Sequence, residues 1–392
     1  MRDVVLPPEN QEDVIRFLSS SSTYGLTAPV ERHVTHGSIV FLCGDRAYKL
    51  KRAVLYPYMD YSTAERRREM CERELAVNRR TAPSLYLDVR PIVRDAAEQL
   101  AFGSHADDRA VDWVVVMRRF SQQALLETMR KRQELPLALM PRLAEQIAVF
   151  HQQAEIRSGF GGGKGIGDVI AGDVEVFHTM AGHPFLPQNL ERLARLAWRR
   201  LDRDCELLDQ RRDAGFVRRC HGDLHLNNIC LIDGQPVPFD AIEFSERFSS
   251  IDVFYDLAFL LMDLDRHGLH EHANAVLNRY LEKTGDYDGL TALPLFLSCR
   301  AAIRAHVTVS AAHASSQAPE GALYREAEAL LDQAIGYLVP AAPRLIAVGG
   351  LSGTGKSTLA RSIAPALGMA PGAIVVRSDV IRKQICGPPM TV

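Results

Sequence analysis

The chain has 392 residues, 47% of them hydrophobic and 24% charged, with a formal net charge of −2. That length accommodates two or three folded units, and that composition builds sizeable cores, which excludes general disorder. The near-balanced charge excludes a general nucleic-acid binder and a polybasic membrane-surface protein, so neither nucleic acid nor membrane is expected as a partner. The first element is a short helix over 9–20, where Val14, Ile15, Phe17 and Leu18 recur at helical spacing. A hairpin follows over 38–54, with Ser38–Leu42 as one arm, a turn at Gly44-Asp45-Arg46 and an alternating second arm, Ala47–Lys51. Residues 62–81 read as a charged helix with Ser62 as cap and Glu65 closing a capping box. Asp112–Met117 is a third strand. Helices are then expected over 137–153 and 190–212, with the glycine-rich 159–167 between them as a flexible connector. A β-rich island spans 229–244, and helices resume over 253–265, 270–284, 293–310 and 322–338. Pro340 and Pro343 mark a linker. Beyond it, Leu345–Val348 and Ile374–Val376 read as strands flanking a glycine loop and a helix.

Seven cysteines are scattered singly, without a C-x-x-C pair or zinc spacing, which suits a reducing compartment. The N-terminus lacks a signal-peptide layout, and Leu257–Met262, the longest apolar run, is far short of the ~20 residues that a membrane span needs. A cytoplasmic location is therefore expected.

The stretch most informative about chemistry is Cys220-His221-Gly222-Asp223-Leu224-His225-Leu226-Asn227-Asn228, with Asp240 twelve residues after Asn228. Phosphoryl transfer needs a carboxylate beside the attacking hydroxyl and oxygen ligands for a metal that bridges the phosphates. Asp223 can orient the acceptor hydroxyl or accept its proton. Asn228 and Asp240 offer oxygens to Mg²⁺, a hard cation. A hairpin turning at Asp233-Gly234 returns Asp240 to the side of Asn228. Here the chain resembles the aminoglycoside phosphotransferase and choline kinase group of kinase-like enzymes, whose motif is His-Gly-Asp-x-x-x-x-Asn with a downstream Asp. Gly222 and Asp240-Ala241-Ile242 differ from the Arg and Asp-Phe-Gly of protein kinases.

The resemblance implies an α+β, bilobal protein-kinase-like fold: a small β-rich N-lobe over 1–117 and a helical C-lobe over 118–339. It implies ATP and Mg²⁺ as cofactors, a small hydroxylated molecule as acceptor, and a hinge in Val114–Phe120. It also implies that Asp256, in Tyr255-Asp256-Leu257-Ala258, braces the catalytic loop. Asp252 could cap that helix or meet the acceptor, the cap being the stronger reading. The cation for the α/β-phosphates is Lys49, in Ala47-Tyr48-Lys49, or its rival Lys51. Its helix carboxylate is one of Glu65, Glu69, Glu72 and Glu74, and the resemblance favours Glu74. Glu243 and Glu246 read either as recognising a cationic or polyhydroxylated substrate or as a solvated loop.

Gly349-Gly350-Leu351-Ser352-Gly353-Thr354-Gly355-Lys356-Ser357-Thr358 matches G-x-x-x-x-G-K-[ST], the P-loop. Its glycines, Gly350, Gly353 and Gly355, let backbone N–H groups curl around phosphate, and the N-terminus of a helix expected from Leu359 adds positive charge. Lys356 reaches the β/γ-phosphates, Ser357 holds Mg²⁺ and Thr358 extends the cradle. Residues 344–392 are expected to be the truncated start of a P-loop domain, with Asp379 near an acceptor. Taken whole, the chain resembles tandem proteins that join an aminoglycoside phosphotransferase-like domain to a P-loop kinase-like ATPase domain. The rival function is a non-catalytic nucleotide-binding module that regulates a P-loop kinase. The acceptor and the oligomeric state are left open by these motifs.

Overall fold

The computed structural model describes residues 9–56, 58–104, 109–314, 320–378 and 381–382. Asp379 lies outside them. In chain order the elements begin with α1 (Glu12–Ser19), β1 (Glu31–Val34), β2 (Ser38–Cys43), β3 (Arg46–Lys51), β4 (Leu55–Tyr56), β5 (Met59–Asp60) and α2 (Ala64–Asn78). They continue with β6 (Tyr86–Arg94), β7 (Leu100–Phe102), β8 (Ala110–Arg118), α3 (Leu126–Lys131), α4 (Met140–Gln153), α5 (Gly162–Thr179) and α6 (Pro187–Asp213). Then come β9 (Val217–Arg219), β10 (Ile229–Ile232), β11 (Gln235–Pro238), α7 (Glu246–Ser249), β12 (Ser250–Asp252) and α8 (Val253–Arg266). The last are α9 (His270–Thr284), α10 (Gly289–Ala314), α11 (Glu320–Tyr337) and α12 (Lys356–Ile363). The chain divides into two units. One comprises residues up to Gln133 with His221–Asp223 and Asn227–Ser249, and the other comprises Glu134–Cys220, Leu224–Leu226 and the chain from Ser250. A β-rich unit and a helical unit in this order make the α+β, protein-kinase-like fold.

The β-rich unit is built on an antiparallel sheet in the order β1-β2-β3-β8-β6-β7. The β2–β3 hairpin turns at Gly44-Asp45, with Cys43 paired to Arg46. Side chains alternate across β3, so Leu50 joins Val14, Leu18, Phe41 and Val114 on the α1 face. Ala47 joins Cys71, Leu85, Trp113 and Val115 on the α2 face. Lys49 and Lys51 share the parity of Ala47, and strand geometry alone delivers both toward α2. Strand β6 has no clear signal in the sequence, because Pro91 lies inside it and charged residues interrupt its alternation. It pairs with β8 through a register shift between Tyr86 and Asp88.

Helix α2 starts one residue later than expected. Thr63, not Ser62, accepts the hydrogen bond from the Arg66 N–H, while the Ser62 hydroxyl donates to Asp60. Its outer face carries the i,i+4 pairs Arg68–Glu72 and Glu69–Arg73. Its inner face carries Arg67, Cys71, Glu74 and Asn78, each at most 1% exposed. Arg67 is therefore not part of a solvated face. It forks onto both oxygens of Asp112 at 2.8 and 3.0 Å.

In the helical unit the glycine run is not a connector. Gly162–Thr179 is α5, and its glycines let it lie close against α6. A Cβ on Gly163 would sit 2.3 Å from Cys205 Sγ, and one on Gly167, a turn later, 3.4 Å from Leu201 Cδ2. Helix α8 is buried from Val253 to Leu264 on every side, the pattern of a central core helix. Asp252 caps it, accepting from the Phe254 N–H at 2.8 Å, and also takes a forked pair from Arg211, which holds Asp286 as well. No helix among the described residues is long and apolar enough to cross a membrane.

Residues 345–348 and 374–376 form no strand, and among the described residues neither segment is paired with one; Leu345 is 97% exposed. The second segment instead lies along α9. The Asn278 carboxamide accepts from the Val375 N–H at 2.7 Å and donates to the Ala373 carbonyl at 3.3 Å. Asn274 donates to the carbonyls of Pro371 and Ala373.

Candidate active site

The first half of the site follows from β3 and α2. Glu74 is fully buried and accepts from Lys49 Nζ at 2.8 Å and from Lys51 Nζ at 2.7 Å. The choice between the two lysines dissolves, since residues two apart on a strand reach the same carboxylate. Lys49 also donates to Asp240 Oδ1, and Lys51 to Glu243 Oε1, each at 2.5 Å. Five charges thus alternate in a chain: Asp240, Lys49, Glu74, Lys51, Glu243. Of the helix carboxylates weighed from sequence, Glu74 joins this chain, while Glu69 and Glu72 stay on surface pairs.

Burial alone would lower both lysines, yet the carboxylates around them outweigh it and hold both well above the ordinary lysine value. Burial alone would raise Glu74, but Lys49 and Lys51 prevail and hold it at about 2. A carboxyl depressed in the folded state stabilises above its unfolded value and loses that contribution as pH falls through its folded value. The stability lost on replacing Glu74 with glutamine should therefore be constant above pH 4.5 and shrink between 4.5 and about 2, by about 3 kcal/mol. Urea titrations of both proteins at stepped pH measure this, and a difference that shrinks only above pH 5 would contradict it.

The second half is the 221–242 segment. Asn228 Nδ2 donates to the Asp223 carboxylate at 2.8 Å and to the Asp223 carbonyl at 2.9 Å. With its nitrogen donating, the amide's oxygen, Oδ1, is the atom of Asn228 that has metal-ligand chemistry. Four successive N–H groups then fix the following turn. Phe239 donates to the Asn228 carbonyl, Asp240 to the Tyr86 hydroxyl, Ala241 to Asn78 Oδ1, and Ile242 to the His221 carbonyl. So constrained, Asp240 holds a left-handed φ of 62°, which costs a non-glycine residue energy and is tolerated where neighbours enforce it. Its side chain stays 40% exposed. His221 Nε2 faces the Phe239 carbonyl at 2.9 Å, an acceptor only, so the proton sits on Nε2 and Nδ1 accepts from the Asp223 N–H. Gly222, at φ 83°, has no room for a Cβ, which would lie 2.9 Å from the Phe248 carbonyl.

Glu243 is neither a solvated loop residue nor open to a substrate. It is 7% exposed and held by Lys51 and by the Tyr61 hydroxyl at 2.6 Å. Glu246 opens α7 and is exposed. Tyr61, Tyr86 and Asn78 escaped sequence reasoning. Asn78 alone carried a signal: it lies one helical turn from Glu74, on the face that aims at the site. In the helical unit, Asp256 Oδ2 lies 3.1 Å from His151 Nε2, and the Leu226 N–H donates to Asp263, a residue that the motif did not single out.

The three P-loop glycines all have positive φ. Gly350, Gly353 and Gly355 have φ of 148, 81 and 83°. Lys356 Nζ folds back on the Leu351 carbonyl at 2.5 Å, and Ser357 and Thr358 lie in the first turn of α12.

This α+β chain, with its β-rich and helical units, continues into a P-loop segment. A family model described as an AAA domain matches residues 345–391. The chain is 31% identical over 359 residues to the uncharacterized protein Rv2004c of Mycobacterium tuberculosis H37Rv, covering 90% of this chain and 68% of that protein. The uncharacterized protein Mb2027c of Mycobacterium bovis matches equally. The chain belongs to the family of these mycobacterial proteins. Among solved structures it is similar to a choline/ethanolamine kinase family protein from Mesorhizobium loti, with TM-score 0.46, 13% identity, and 83% and 97% of the two chains covered. It is also similar to the GDP complex of aminoglycoside 2′-phosphotransferase-IIIa, with TM-score 0.48, 14% identity, and 83% and 99% covered.

Proposed function

We propose that this protein is an ATP- and Mg²⁺-dependent phosphotransferase acting on a hydroxyl of a small molecule. The observation that carries the reading is the alternating ion chain, whose outer carboxylate, Asp240, adjoins a loop presenting Asp223 and Asn228. In this reading Lys49, braced by Glu74, holds the α- and β-phosphates, and leaves Asp240 when they arrive. Asp223 orients the acceptor hydroxyl and takes its proton. Asn228 Oδ1 and the half-exposed Asp240 carboxylate are hard oxygen donors and suit magnesium. Asn228 and Asp240 would hold such an ion, whose chemistry there would be to offset phosphate charge. The left-handed Asp240 supports the assignment, since a strained backbone held by four fixed N–H groups keeps one carboxylate aimed in one direction. The P-loop residues Gly350, Gly353, Gly355, Lys356, Ser357 and Thr358 form a second phosphate cradle.

The test is transfer of labelled γ-phosphate from ATP to a panel of sugars, amino alcohols and aminoglycosides. Transfer to at least one compound is expected, and removing Mg²⁺ with EDTA should abolish it. Tight ATP binding with no transfer to any compound would make the chain a nucleotide-sensing module instead.

A further inference from the structure

Beside the ion chain lies a feature that the phosphate chemistry does not use. An open recess of about 720 Å³ is lined by Leu55, Tyr56, Tyr58, Met59, Asp60 and Phe244. Its rings form a continuous row. Tyr56 and Tyr58 stack at 5.8 Å with 11° between planes, Tyr58 meets Phe244 at 6.1 Å, and Phe244 meets Phe248 at 6.3 Å. This aromatic surface faces water: Leu55 is 41% exposed, Phe248 44% and Tyr58 47%. An apolar cluster left uncovered near a reaction centre marks a contact surface.

The covalent chain ties the recess to the site from both ends. Phe244 directly follows Glu243, and Tyr58 lies three residues before Tyr61, whose hydroxyl bonds Glu243. A molecule stacked on Tyr58 and Phe244 therefore rests on the residue that follows Glu243, the last member of the ion chain.

Two carboxylates border the rings, Asp60 in the wall and Glu243 beside Phe244, and both already have partners. Asp60, the carboxylate in the wall, is taken by Arg66 and by Ser62. Glu243 is taken by Lys51 and Tyr61. A polycation would find neither carboxylate unpaired. The recess is open, so it offers ring faces for stacking but no enclosure that would take a compact amino alcohol out of solvent. Resting on the phosphotransferase reading, we infer that the acceptor is an uncharged hydroxylated molecule carrying at least one flat ring, stacked on Tyr56, Tyr58 and Phe244.

Titration calorimetry on the full chain with Mg²⁺ and a non-hydrolysable ATP analogue tests this. The probe is 4-nitrophenyl β-D-glucoside, with kanamycin and choline as comparators. The glucoside should bind at least tenfold more tightly than either. Tyr58→Ala and Phe244→Ala should each weaken it about three- to tenfold, the worth of one ring contact. Tyr58→Leu, which keeps apolar bulk but no ring, should weaken it as much as Tyr58→Ala, and melting temperatures check that each variant is folded. Tighter binding of kanamycin or choline, or glucoside binding indifferent to ring loss, overturns the inference. So does self-association, seen by sedimentation and lost in Tyr58→Ala, since a second copy would then own the patch. Transfer to kanamycin without glucoside binding would leave the phosphotransferase standing and remove only this acceptor class. Silence toward every compound with ATP bound would remove the phosphotransferase, and the titration would still decide what the rings bind.

Discussion

Replacing Asp223 with alanine is expected to slow phosphoryl transfer by about 10²- to 10⁴-fold, the usual worth of a positioned general base, while ATP affinity changes little. The reason lies in how Asn228 is held. Its amide nitrogen has two partners in residue 223, the carboxylate and the main-chain carbonyl. The substitution removes the first and keeps the second, so the amide oxygen of Asn228 retains its direction. Asp240 is untouched, because its restraints come from Tyr86, Asn78, Asn228 and His221. Steady-state rates combined with the affinity for a fluorescent ATP analogue separate the two quantities. A variant that turned over normally would take the proton-accepting role away from Asp223. Equal loss of rate and nucleotide affinity would instead make it a metal ligand.

Replacing Glu74 with alanine should destabilise the β-rich unit by about 3 kcal/mol. Breaking a buried ion pair costs about 3–5 kcal/mol, because the partner stays behind without its counter-charge. Glu74 serves two ammoniums, but each keeps one other carboxylate, Asp240 for Lys49 and Glu243 for Lys51, which places the cost at the low end. Lys51 is the more vulnerable, with its side chain 1% exposed and no water to replace the lost oxygen. The same variant should bind ATP more weakly, since Lys49 would then be held by Asp240 alone. Urea unfolding with nucleotide titration measures both. A loss under 1 kcal/mol would mean that the unit relaxes to hydrate Lys51 and that the ion chain contributes little to stability.

Much of this was legible from residues alone, for definite reasons. The Asp223, Asn228 and Asp240 set is local in sequence, and the β10–β11 hairpin returns the chain to the side of Asn228, while distant Tyr86 and Asn78 fix the turn at Asp240. Its neighbour Gly222 is likewise dictated locally, by the left-handed turn. The amphipathic helices α4 and α6 announce themselves by periodicity, and the all-buried α8 by its apolar run from Leu257 to Met262. Helix α2 shows where that signal fails. Its buried stripe is Arg67, Cys71, Glu74 and Asn78, so a search for apolar residues at helical spacing sees only a surface helix. Helix α5 fails for the opposite reason. Its glycines look like a linker, yet Gly163 lies against Cys205, and the absence of a side chain is what allows the packing.

The chemistry on offer was determined by sequence: which oxygens and cations exist, and in what order, is written in the 220–240 stretch, the β3 lysines and the P-loop. Partnership was decided only by tertiary structure. Whether Lys49 or Lys51 meets Glu74, whether Glu243 faces a substrate or an ammonium, and whether residues 374–376 join a sheet or lie along a helix all depend on elements far apart in the chain. Charge pairing is set by distance and burial, and sequence spacing determines neither across a fold.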